Sequence, residues 1–268
     1  MISYRVLTQP QELKPLPALE AAIWGQDMSE TVPTHMTIQV VHNGGVVIGA
    51  YDETQIVGFA FAMPYRRGET LALWSLMAGV LPQYQGRGIG FGLKLQQRTW
   101  ALEHGYESIH WTFDPLQRGN ANFNMYRLGA VATRYHINYY GEMHDAINAG
   151  LPSDRLEADW FLNDETVQRI ANGQTPPQPP YPDVWLVKSH KNSRPELCLT
   201  EFSAEKIYAI EVPYHLNALK QNAPDKALAW RLAQRDAFIA AFEQELVVCG
   251  FQQDTARSWF VLQKTNPT

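Results

Sequence analysis

The chain has 268 residues, 45% of them hydrophobic and 18% charged, with a net charge of −5 and a pI near 5.9. That length suits one large domain or a domain with a smaller one, and the apolar share is enough for a packed core. An acidic chain lacks the cationic surface that general nucleic-acid binding requires. Cys198 and Cys249 form neither a disulfide framework nor a zinc pattern and read as small buried hydrophobes. No apolar run reaches the ~20 residues of a membrane span, and Met1-Ile-Ser-Tyr-Arg5 has no signal-peptide core. The expectation is a cytoplasmic protein without a membrane or nucleic-acid partner.

In chain order, residues 4–7 read as a short strand. Pro10–Trp24 reads as a helix with Leu13, Leu16, Leu19, Ala22 and Ile23 on one face, and Pro33–His42 as a second, stopped by Asn43-Gly44-Gly45. Val46–Tyr51 and Ile56–Met63 are strands joined by a hairpin, and residues 64–69 form the next turn. Leu71–Val80 is apolar on both faces, as a covered central strand should be. A glycine-rich loop follows, then a helix from Ile89 to His104, a strand at Ser108–Phe113 and a short helix at Asn120–Leu128. Val131–Tyr140 and Leu156–Leu162 complete the strands of this part.

The run Thr175-Pro-Pro-Gln-Pro-Pro-Tyr-Pro182 has five prolines in eight residues and marks a boundary. Beyond it, Asp183–Lys188, Ile207–Val212 and Ser258–Gln263 are strand-like, with a long helix over about Lys226–Glu245. The expected organisation is a ligand-binding domain over 1–165, a Pro-rich linker over 166–182, and an α+β extension over 183–268. That extension is expected to pack on the first domain, over the second apolar stripe (Phe91, Leu95, Leu102) of the helix after the loop.

The chemistry concentrates in Gln85-Gly86-Arg87-Gly88-Ile89-Gly90. Glycines between a strand and a helix let the backbone turn sharply and bring its N–H groups close to an oxyanion, and the new helix adds unpaired amides and the positive end of its dipole. A diphosphate suits that geometry. The Walker pattern fails because no Lys-Ser/Thr follows, and the dinucleotide fingerprint fails because its third glycine would fall on Phe91 or Leu93.

The spacing Gln85, Gly88, Gly90, preceded by Val80-Leu-Pro-Gln-Tyr84, resembles the Gln/Arg-x-x-Gly-x-Gly/Ala pyrophosphate motif of the GNAT (N-acetyltransferase) superfamily. By element order the resemblance covers residues 1–165, and its specific motif covers 78–90. It implies an α/β fold with a mixed, mainly antiparallel central sheet flanked by helices. It also implies acetyl-CoA as cosubstrate, lying between two splayed strands, with no metal. Backbone groups of Ala78, Gly79 and Val80 would meet the pantetheine arm. Amides of Gly86, Arg87, Gly88, Ile89, Gly90 and Phe91 would hold the pyrophosphate.

The same resemblance implies N-acyl transfer to the amine of a small molecule by direct attack in a ternary complex, with a tyrosine protonating the departing thiolate. Here the family's tyrosine position, counted back from Gly129, is Met125, and Tyr126 comes one residue late; on an α-helix that is a rotation of about 100°. Tyr126 is the candidate acid, and His110, sharing a strand face with Asp114, the candidate base. Asn120 and Asn122 read as helix caps or cofactor contacts. The displaced tyrosine also admits an acyl-CoA-binding or regulatory module without efficient turnover. Asp114-Pro-Leu116, Leu128-Gly-Ala130, Ile210–Tyr214 and Ala227–Arg235 resemble predicted bacterial GNAT acetyltransferases with a carboxyl extension, a reading compatible with a homodimer. Within that extension Trp230, Arg231 and Arg235 read as structural, or as groups that could reach a carboxylate substrate.

Overall fold

A computed structural model describes residues 1–143, 149–189 and 194–264. The described residues form two compact units, one of 1–111 with 161–163 and one of 112–143, 149–160, 164–189 and 194–264. The proline run therefore lies inside the second unit. Among the described residues no helix is long and apolar enough to cross a membrane.

The first unit is built on strands β1 (Ile2–Val6), β2 (Val46–Asp52), β3 (Gln55–Arg67), β4 (Thr70–Val80) and β5 (Ser108–Phe113), adjacent in that order. All neighbours are antiparallel except β4 and β5, which run parallel. Its helices are α1 (Pro10–Leu13), α2 (Leu16–Trp24), α3 (Thr34–His42) and α4 (Ile89–Glu103). The helix expected over Pro10–Trp24 is broken at Pro15, which lacks the N–H that would continue the hydrogen-bond ladder. Leu13, Leu16 and Leu19 are buried all the same.

The hairpin is also tighter than expected. Asp52 pairs with Gln55, leaving Glu53 and Thr54 as the turn, with Glu53 at φ +53°. No turn occurs at Pro64, because β3 runs on to Arg67 and Pro64 pairs with Leu73. Pairing with β2 ends at Ala62, so the missing N–H of Pro64 falls where β3 has already lost that neighbour. Helix α4 packs its buried Ile89, Leu93 and Ala101 toward the sheet, and Phe91, Leu95 and Leu102 are half-buried.

In the second unit, helix α5 (Arg118–Ala121) runs directly into a π-helical turn, Asn122–Arg127, followed by β6 (Val131–His136) and β7 (Arg155–Phe161). Next come α6 (Glu165–Ala171), β8 (Val184–Lys188), β9 (Glu196–Leu197), β10 (Tyr208–Val212), α7 (Leu216–Asn222), α8 (Pro224–Glu243), β11 (Leu246–Gln253) and β12 (Ser258–Lys264). The strand order is β7-β6-β11-β12-β10-β8-β9. Thus α6 occupies residues that the sequence reading gave to a linker. Asp164 caps it, accepting from the N–H groups of Thr166 and Val167. Strand β11, which lacks the clear alternation that marks a half-buried strand, pairs with β6 and so extends the sheet of the earlier residues.

Helix α8 ties the later residues of this unit to the earlier ones. Arg231, 1% exposed, donates to Asp114 Oδ1 at 2.7 Å, and Arg235 makes two bonds to Asp154, at 2.8 and 2.9 Å. Asp154 also accepts from Tyr135 Oη at 2.8 Å. Its carboxyl stays below its ordinary range because these bonds, with the Asn138 amide, outweigh the opposing effect of burial. Arg231 and Arg235 are therefore structural, as one of the two sequence readings had it. Cys249 is largely buried, which pushes its thiol up to about 11, whereas Cys198 is exposed, contrary to expectation.

Removing one partner of a buried ion pair strands the other charge, at a cost of about 3–5 kcal/mol. Asp114→Asn is expected to lower unfolding stability by that order in urea titration. A loss below about 1 kcal/mol would show that Arg231 needs no counter-charge.

Candidate functional site

The glycine loop begins where β4 ends. A 3₁₀ turn over Pro82–Tyr84 follows Leu81, whose N–H donates to the Val57 carbonyl at 2.9 Å. Gln85 Nε2 folds back onto the Val80 carbonyl at 3.1 Å, tying the loop to the strand. Gly86 and Gly88 take φ of +75° and +77°, a region that costs a residue with a side chain roughly 1–2 kcal/mol. A Cβ at either would meet nothing within 4 Å, so conformation and not crowding selects glycine here. Gly88 is the N-cap of α4 and supplies no side-chain cap, so the leading amides and the helix dipole face outward from the loop. Arg87 lies 5.0 Å over the ring of Tyr84, whose hydroxyl donates to Asp52 at 3.3 Å. The loop thus leaves the first amides of α4 without a side-chain cap, with an arginine stacked at its rim.

Beside this loop the sheet opens. Strands β4 and β5 pair only at Leu73–Ile109 and Trp74–His110. A bulge in β4 lies just beyond: Ala62 faces Ser75 and Phe61 faces Met77, leaving Leu76 unmatched. Ala78, Gly79 and Val80 then pair with β3 on one side only. Gly79 has a packing reason of its own, since a Cβ there would approach Trp24 and Ile23 to 2.7 and 2.8 Å.

Lys94 sits at the base of this fork and was not singled out in the sequence. Its Nζ donates to Ser75 Oγ at 3.2 Å and Gln97 Oε1 at 2.7 Å, and lies 4.0 Å over the Trp111 ring. Ser75 and Trp111 are the first residues past the last paired positions of β4 and β5. Burial pushes the amine down to about 7. The only sequence trace was Lys94 sharing a helix face with Gln97 and Ala101, a spacing that says nothing about charge.

His110 is 1% exposed, and both ring nitrogens are engaged: Nδ1 lies 3.1 Å from Arg67 Nη1 and Nε2 2.9 Å from Ser108 Oγ. A guanidinium can only donate, so Nδ1 accepts and the ring proton resides on Nε2. The edges of Tyr65 and Phe161 close around the ring, at 5.7 and 6.4 Å between centroids.

Tyr126 and Asn122 belong to the second unit. The π-helical turn closes with Leu128 N–H on the Phe123 carbonyl, at 2.9 Å. An i→i+5 turn holds one residue more than an α turn, so an α-helical wheel does not give the direction of Tyr126. Met125 is buried, and the half-exposed Tyr126 accepts at Oη from Gln178 Nε2 at 2.8 Å, leaving its own proton to donate. Asn120 lies within α5 and Asn122 at its C-cap; the N-cap is Gln117, so neither asparagine caps the helix start.

A glycine loop at a helix start, following a strand that parts from its parallel neighbour, characterises this α/β unit. Residues 12–130 match the model of the acetyltransferase (GNAT) family. Solved structures with similar folds include the ribosomal-protein-S18-alanine N-acetyltransferase of Escherichia coli, with 12% identity, a TM-score of 0.49, and coverage of 61% of this chain and 96% of that one. Arabidopsis thaliana NAA60 in complex with a bisubstrate analogue gives 16%, 0.48, 61% and 100%. Salmonella typhimurium yncA with its cofactor acetyl-CoA gives 16%, 0.46, 62% and 96%. No curated protein matches.

Lys94 makes stability depend on pH. Between pH 7 and about 10.4 the unfolded chain binds more protons at this site than the folded one, so its burial penalty is full below 7 and fades as pH rises. Relative to wild type, Lys94→Met is expected to gain on the order of a few kcal/mol in denaturant titrations as pH falls from 10 to 6. A difference that does not change with pH would show that the amine stays protonated where it is buried.

Proposed function

We propose that this chain transfers the acyl group of acetyl-CoA to the amine of a small molecule by direct attack in a ternary complex. The observation that carries the reading is the uncapped start of α4, with left-handed Gly86 and Gly88, beside the fork of β4 and β5. Amides of residues 86–91 would hold the pyrophosphate, with Arg87 adding charge and Gln85 bracing the loop. The open edge of Ala78–Val80 would receive the pantetheine arm and offer an N–H to the oxyanion.

In the transfer, the amine nitrogen bonds to the thioester carbon and the C–S bond breaks. Tyr126 gives its phenolic proton to the thiolate, the Gln178 bond holding its oxygen. The amine's proton passes to His110 once Arg67 releases Nδ1, or to water. Asn122 is a further cofactor contact in this reading.

Two features favour a second reading, a module that holds acyl-CoA with little turnover. The family's tyrosine position is the buried Met125, and the lone pair of His110 is already taken.

Acetyl-CoA with a panel of small amines, followed by free-thiol release, separates the two. Turnover is expected, with Tyr126→Phe lowering kcat by about 10²–10³-fold at unchanged KM for acetyl-CoA. Gly88→Val is expected to raise that KM about tenfold or more, through backbone strain at the cradle. Tight acetyl-CoA binding without thiol release from any amine would favour the module.

A further inference from the structure

The second unit contains a cleft of about 420 Å³ between the start of α5 and the segment leading into α7. Its volume falls in the range of small-molecule sites. The lining includes Gln117, Arg118, Tyr214, His215 and Asn217, and no carboxylate. The guanidinium carbon of Arg118 lies 4.0 Å over the Tyr214 ring, a stacking that holds the plane and leaves its N–H edge free to pair. Among the described residues Arg118 has no acidic partner. The Nε2 of Gln117 is buried with no hydrogen-bond acceptor.

Both walls are clamped by one face of α8. Arg231 holds Asp114, whose Oδ1 also accepts from the Leu116 N–H at 2.9 Å and so sets the turn before Gln117. Three residues on, Gln234 Nε2 donates to the Glu211 carbonyl at 2.9 Å, fixing the strand end before Pro213. A stacked arginine and an imidazole thus line a cleft whose walls carry no carboxylate.

We propose that this cleft is a receptor for a small oxyanion, a carboxylate or a phosphate ester, gripped by the Arg118 edge with His215 as a further donor. An anion here would give Arg118 its counter-charge. The inference does not depend on acyl transfer, and its test separates it from the glycine loop.

The full chain would be titrated calorimetrically with inorganic phosphate and with succinate, each in the absence and presence of saturating coenzyme A. Binding of at least one probe is expected. It should weaken at least about tenfold in Arg118→Gln, remain in Arg87→Gln and in the surface control Arg66→Gln, and persist with coenzyme A present. Whichever probe binds identifies the ligand as phosphate ester or carboxylate. Arg118→Lys, which keeps the charge but loses the planar fork, should bind at intermediate strength. If neither probe binds, or if binding survives Arg118→Gln and is lost in Arg87→Gln, the cleft is no receptor and the anion belongs to the loop.

Discussion

Strands β4 and β5 are joined by only two residue pairs, and the first unit is arranged around their parting after Trp74 and His110. The bulge at Leu76 re-aims β4 away from its neighbour, so Ala78–Val80 reach the glycine loop with one edge unpaired. An opening of this kind in a sheet interior must be supported. Lys94 closes it on the helix side, and His110, bonded to Arg67 and Ser108, fixes the last paired position. A buried ammonium is a costly support, and its amine falls to about 7 in response. The loop, its helix and the fork are thus one arrangement, in which backbone groups are exposed by design while the side chains around them are held.

The second unit solves a different problem. Its earlier residues, among them β6 and the Asp114 turn, are tied to the later ones by α8 through buried charge pairs and by β11 through sheet pairing. A pair such as Arg231–Asp114 contributes little net stability compared with an apolar contact, but it admits one register because any slip leaves a charge unpaired. This explains why segments distant in sequence meet with defined geometry. It also explains why the Arg118–Tyr214 cleft has fixed walls and not two independent loops.

Much of the framework was legible from local chemistry. The alternating glycines after an apolar strand and before a helix marked the loop, because left-handed backbone at residues 86 and 88 is a demand that only a few residue types meet. Strand β5 emerged with its observed bounds because Ser108–Phe113 is bounded by a glycine turn and an Asp-Pro step. Proline was the least reliable guide: Pro15 broke a helix that apolar periodicity had joined, while Pro64 ended nothing because its strand had already lost one neighbour.

By itself, the sequence determined the glycine turn at the start of α4, since that rests on short-range spacing that needs no distant partner. It could not determine the π-helical turn that carries Tyr126, because a widened turn leaves no period of its own in six residues. Nor could it assign Lys94 or Arg118. Each reads as an ordinary polar residue until the folded chain shows which groups surround it. Tertiary structure decided their surroundings, because burial and a ring beneath a charge both depend on residues far apart along the chain.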